Sequence, residues 1–139
     1  MRFEQWERRL GSRITLHARA PFEWGRFDCC LFPADCVWAL TQKDPAKTWR
    51  GAYKDEAGAQ AIIDAAGGLA PLLEKALTSI GVKPERISPS FGQRGDPCVF
   101  IHEGRETMGI VYDAQIIAKA PSGLARLPID PGALCWAIR

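Results

Sequence analysis

The sequence predicts one α+β domain, with helices first and an antiparallel sheet second. Three observations carry this. Apolar residues recur at helical spacing up to about residue 81. Between 82 and 94, Pro84, Pro89 and Gly92 break every periodic pattern. From Gly95-Asp96 to the end the apolar runs are short, rich in β-branched residues and separated by turn signals. The 139 residues suffice for a single hydrophobic core, with a helical half over 1–81 and a sheet half over 95–139.

In chain order, Phe3, Trp6, Leu10 and Ile14 form one helical stripe, with Glu4, Glu7, Arg8, Arg9 and Arg13 opposite. His17 continues the apolar stripe and is expected as a hydrogen-bonded core or boundary residue. Pro21 and Gly25 then mark a loop. Asp28 is suited to cap a second helix running to about Lys43. That helix is apolar on nearly all sides, with Asp35 its polar interruption, so it is expected to be buried all round. Pro33 cannot donate to the carbonyl of Cys29, which delays the helix start or distorts its first turn. After an irregular connection through Arg50-Gly51-Ala52-Tyr53, a short helix spans roughly Glu56 to Ala66 and stops at Gly67-Gly68. Leu69, Leu72, Leu73, Ala76, Leu77 and Ile80 make a strict fourth helical stripe, with Pro71 in its first turn. The sheet half reads as about five strands: Pro97 to His102, Thr107 to Tyr112, Gln115 to Lys119, Leu124 to Pro128 and Ala133 to Ile138. The first two form a hairpin across Glu103 to Glu106.

Composition excludes several function classes. Apolar residues make up 47% and charged residues 24%, the balance of a soluble globular protein. A net charge of +2 without a Lys/Arg run argues against nucleic acid as a partner. The charged start (Arg2, Glu4, Glu7, Arg8, Arg9) is unlike a signal peptide, and no apolar run is long enough for a membrane span. Cys29, Cys30, Cys36, Cys98 and Cys135 are five cysteines without regular spacing, which fits free thiols in a reducing compartment. No CxxC pair marks a metal site, so no metal and no cofactor is expected.

The chemistry centres on Phe22 to Cys30, where an aromatic loop feeds Asp28-Cys29 into the buried helix. A thiol at a helix start is favoured as thiolate. Packed against a sheet that carries a base, it makes the papain-like arrangement. Phe27-Asp28-Cys29-Cys30-Leu31 resembles the Asp-Cys-Ser-Gly segment of NlpC-type papain-like cysteine peptidases. Gly95-Asp96-Pro97-Cys98-Val99-Phe100 resembles their Gly-Asp-Leu-Val-Phe-Phe strand, and Thr107-Met108-Gly109-Ile110-Val111-Tyr112 their His-Val-Gly-Ile strand. Trp24-Gly25, Asp28-Cys29-Cys30, Arg50 to Tyr53, Gly67-Gly68-Leu69 and the closing Gly123 to Arg139 are similar to phage and prophage proteins encoded among tail-assembly genes.

The resemblance implies an NlpC-type fold with Cys29 as candidate nucleophile and Asp28, Trp24 and Thr107 as structural neighbours of the site. The family's catalytic His falls at Thr107 and its orienting residue near Ala118, so Cys29 alone carries over. His102 is the candidate replacement base: across a four-residue turn it would stand opposite Thr107, on the same face. Two expectations follow. One is a tail or tail-tip component with an impaired site, partnered by other tail proteins, made in the bacterial cytoplasm and then carried in the virion tail. The other is an active cysteine peptidase acting on peptidoglycan stem peptides.

Overall fold

The computed structural model describes residues 2–139. Helix α1, Trp6–Arg19, buries Leu10 and His17 against helix α2, Leu31–Thr41. Phe3 lies outside α1 and its N–H donates to Leu40 O at 3.0 Å, tying the start of the chain to the end of α2. All of α2 is buried except Trp38, as its near-continuous apolar sequence demands. It begins three residues after Asp28, with Pro33 in its first turn, where a missing N–H costs least. Helix α3, Glu56–Ala66, is capped by the Asp55 carboxylate, which accepts from Gly58 N–H at 2.7 Å. Gly67 and Gly68, with φ of 96° and 127°, turn the chain directly into helix α4, Leu69–Ser79.

The connector after α4 holds a short strand β1, Arg86–Ile87, and a 3-10 turn, Pro89–Phe91. Strands β2 (Pro97–His102), β3 (Arg105–Tyr112), β4 (Gln115–Ala120), β5 (Gly123–Pro128) and β6 (Leu134–Trp136) follow. The antiparallel sheet has the order β1-β6-β2-β3-β4-β5. It has six strands rather than about five, because Arg86 and Ile87 pair with Trp136 and Cys135. The open α+β architecture agrees with the expectation from sequence.

Side chains alternate across the sheet. Val99, Met108, Ile110, Ile117 and Trp136 face the helices and join Leu31, Phe32, Leu40 and Leu77 in the main core. Cys98, Phe100, Val111, Ile116, Ala118 and Cys135 form a second cluster on the other face, covered by Ile87, Leu127 and Ile129.

Two buried charges tie the halves together. Asp96 is fully buried and accepts from Arg2 Nη2 (2.8 Å), Arg139 Nη1 (2.9 Å), Ile138 N–H (3.1 Å) and Gln93 N–H (2.8 Å). What reads in sequence as a turn aspartate therefore also clamps both ends of the chain. Lys119 on β4 donates to His17 O (2.5 Å) and Ala20 O (2.7 Å), placing a cation at the C-terminus of α1. Burial pushes its ammonium pKa down. Among the described residues no helix is long and apolar enough to cross a membrane.

Candidate functional site

The loop before α2 is a tight turn. Glu23 and Phe27 exchange backbone hydrogen bonds of 3.0 and 2.8 Å. Gly25 between them has φ of 85°, and a Cβ there would stand 2.2 Å from Tyr53 O, so only glycine fits. Trp24 is half-buried, packs edge-on to Phe22 at 4.9 Å, and borders the main core.

Asp28 is the hub of this loop. Its Oδ1 accepts from the N–H groups of Cys30 (2.9 Å) and Leu31 (2.8 Å). Its Oδ2 accepts from Gly25 N–H (2.8 Å) and Tyr53 O–H (2.5 Å). A fully buried carboxylate is thus matched by four donors, the condition for keeping such a group inside a protein. Burial, and then the bond to Asp28, push the Tyr53 phenol far above its ordinary range, so it stays a donor. The capping position of α2 itself is Cys30, two residues later than predicted, but the Asp28 carboxylate still holds the N–H groups at the helix entrance, and the Tyr53 hydroxyl completes its set of donors.

Cys29 follows the hub and is half-buried, whereas Cys30 is buried. The Cys30 thiol donates to the Cys29 sulfur, which lowers the Cys29 pKa against the opposing effects of burial and the Asp28 charge. The same bond, reinforced by burial, raises Cys30. Cys29 is therefore the thiol of this pair that ionises first. Ligand atoms of Asp28, Cys29 and Cys30 lie within 4.8 Å of one another. Both Asp28 oxygens are already taken by protein donors, which leaves two sulfurs of this group, among the described residues, free to face a metal ion.

No hydrogen bond joins Cys29 to either imidazole. His17 is fully buried, edge-on to Phe27 (5.3 Å) and Phe32 (5.1 Å), and its Nε2 lies 2.7 Å from Asp35 Oδ2. Its Nδ1 has no hydrogen-bond partner among the described residues. Asp35 Oδ1 also lies 2.7 Å from Arg50 Nη1, an ionic contact out of hydrogen-bond alignment, and Arg50 grips Asp44 with two bonds of 2.9 Å. Two polar residues isolated on apolar helix faces, His17 and Asp35, turn out to be partners.

His102 departs from the expected register. The hairpin turns on two residues, Glu103 and Gly104, with φ of 51° and 75°. His102 pairs with Arg105, and Thr107 pairs with Phe100. The slip is two residues, so His102 keeps the face of Thr107 but is displaced about 7 Å along the strand. That face belongs to the second cluster: His102 stands 6.5 Å from Phe100, with its side chain 39% exposed and Nε2 3.8 Å from Glu103 Oε1. Thr107 Oγ1 donates to Arg105 O at 3.1 Å. Ala118 is buried in the same second cluster.

The groups the hairpin does bring near the helices are Arg105 and Glu106. Arg105 Nη2 is 2.9 Å from Glu56 Oε1, and its charge is favoured first by Glu56 and more weakly by the Cys29 thiolate. Glu106 Oε1 accepts from Leu69 N–H at the start of α4, at 3.2 Å. Neither was a sequence candidate, because a charged residue beside a turn looks solvated.

Over residues 1–138 the chain matches the family described as "Domain of unknown function (DUF6950)". No curated protein and no solved structure matches the chain.

Proposed function

Because the chain belongs to the DUF6950 family, we propose a reading drawn from its site and motifs: a phage or prophage tail-assembly component on an NlpC-like scaffold, with an impaired hydrolase site. The observation that supports it is a thiol at the helix start with no imidazole bonded to it. His17 is committed to Asp35, His102 pairs with Arg105, and Thr107 fills the motif position of the missing base. Cys29 can ionise, but acyl transfer also needs a proton carried to the leaving group. General acid–base help is worth about a hundred- to ten-thousandfold. The tail assignment rests on the motifs from Trp24-Gly25 to the closing Gly123–Arg139 segment. Its partners are other tail proteins.

The test pairs two variants in a phage or prophage carrying the gene. Deletion should give particles with defective tails, and Cys29→Ala should give intact ones. Purified protein should release no stem peptides from peptidoglycan sacculi. Release that disappears in Cys29→Ala would overturn the reading.

The second reading, an active cysteine peptidase, is favoured by the half-exposed position of Cys29 and its lowered pKa. There Cys29 is the nucleophile, His102 the base after hairpin rearrangement, and the N–H groups at the helix start the oxyanion hole. It predicts sacculus digestion that His102→Ala also abolishes.

A further inference from the structure

We propose that Cys98 and Cys135 form a disulfide modification site, a reversible staple between β2 and β6 that exchanges with small-molecule disulfides. The inference is independent of the proposed function and rests on sheet register. Cys98 and Cys135 are direct cross-strand partners. The next pair along is Val99 and Leu134.

The type of pair follows from the other edge of β6. Ala137 N–H donates to Glu85 O at 2.9 Å, so Ala137 directs its backbone groups towards β1. Backbone direction alternates along an antiparallel strand. Trp136 and Leu134 therefore direct theirs towards β2, and Cys135 does not. Cys98–Cys135 is a non-hydrogen-bonded pair. The β2–β3 ladder agrees, since Val111 N–H donates to Asp96 O, which sets Asp96 and Cys98 towards β3. Such pairs hold their Cα atoms about 4.5 Å apart, at the short end of the range that disulfides span.

The surroundings suit the reaction. Gly109 faces Cys98 from β3 and presents no side chain, and a Cβ there would meet Ile117 O at 2.6 Å. The sulfur of Cys98 thus has Cys135 as its partner on that face. The Cys98 thiol donates to the Cys135 sulfur, so Cys135 ionises first. Both residues are fully buried. Exchange therefore waits on opening of the sheet end, where β1 has two residues and β6 three.

The chemistry balances with a small disulfide as the oxidant. The Cys135 thiolate attacks one sulfur of the oxidant, whose S–S bond breaks. A mixed disulfide forms and one small thiolate leaves. Cys98 then gives up its proton and attacks the Cys135 sulfur, expelling the second small thiolate. Two protein thiols lose two electrons, and the oxidant becomes two thiols that take up the two protons. The new bond closes a loop containing β3, β4 and β5, removing freedom from the unfolded chain. An excess of small-molecule thiol runs the same exchange backwards, which makes the staple reversible.

The test incubates the purified full chain with oxidised glutathione, with and without subdenaturing urea. The expected product has lost two hydrogens and two alkylatable thiols. A non-reducing peptide map should join the Cys98 and Cys135 peptides. Oxidation should raise Tm by roughly 5–10 °C, reversed by dithiothreitol. Cys135→Ala should not gain the rise, and the peptide map keeps the test decisive if that variant folds poorly. A cross-link mapped to Cys29–Cys30, glutathione adducts without an internal bond, or no reaction even in urea would each overturn the proposal.

Discussion

Removing Asp28 tests how the site is built. Asp28→Ala strips the acceptor from four donors at once: the N–H groups of Gly25, Cys30 and Leu31, and the Tyr53 hydroxyl. Loss of the helix cap costs about 1 kcal/mol. Orphaning the buried Gly25 N–H and Tyr53 hydroxyl costs about 1–3 kcal/mol each. The expected loss is about 3–7 kcal/mol, a large share of a typical stability of about 5–15 kcal/mol. Asp28→Asn keeps one carbonyl oxygen for the helix N–H groups but turns an amide towards Gly25, so about half the loss is expected. Tyr53→Phe removes one donor and leaves three, at about 1–2 kcal/mol. Urea unfolding followed by Trp fluorescence reads all three. A second readout separates charge from fold: the Asp28 charge raises the Cys29 pKa, so Asp28→Asn should shift Cys29 alkylation to lower pH. An Asp28→Ala variant within about 1 kcal/mol of the parent would refute the reasoning, as would a Tyr53→Phe variant just as damaging.

Asp96→Ala should cost about 3–5 kcal/mol, because it leaves buried Arg2 unpaired and frees both chain ends; Arg139→Ala, whose side chain is 40% exposed, should cost under about 1 kcal/mol. A double-mutant cycle of His17→Ala and Asp35→Ala should give a coupling of about 1–3 kcal/mol in chemical denaturation, whereas independent losses would show the pair to be incidental. Gly25→Ala should destabilise through both its φ of 85° and the clash with Tyr53 O, and an unchanged Tm would contradict the packing of that loop. Stability should fall above about pH 8.5, where free thiols ionise in the unfolded chain. Folded Cys36, held well above its ordinary pKa by burial, and Cys30, held up by its bond to Cys29, stay protonated there. The unfolded state then binds fewer protons, so stability drops as pH rises. Cys29 and Cys135, with lowered pKa values, work in the opposite sense. Cys36→Ala should flatten the alkaline slope measured by urea titration, and an unchanged slope would assign it elsewhere.

Much of the fold was legible because it follows from periodicity. The stripes of α1 and α4 and the all-round apolar α2 allow one arrangement, helices packed on each other and on a sheet. Gly67-Gly68 fixed the α3–α4 corner through backbone freedom that other residues lack. The buried partner of Asp35 was half legible: each of the pair stood out as a polar residue on an apolar face, but only three-dimensional packing joins them. The β2–β3 hairpin was misjudged for a physical reason. Glu103, Arg105 and Glu106 look like a solvated four-residue turn, yet Gly104 permits a two-residue turn, so β3 starts at Arg105 rather than Thr107 and the register slips by two residues. That moved His102 from opposite Thr107 to opposite Arg105. Strand β1 was invisible because two residues have no period, and the roles of Tyr53 and Arg105 depend on contacts distant in sequence.

The most direct test of the site is the pH–rate profile of Cys29 alkylation by iodoacetamide, measured in the parent chain and in His102→Ala. A thiol that ionises with help from Cys30 and backbone N–H groups, without a partner base, predicts a single ionisation below the ordinary thiol range and superimposable profiles. A second, acid-side ionisation that vanishes in His102→Ala would reveal a thiolate–imidazolium pair and contradict the account.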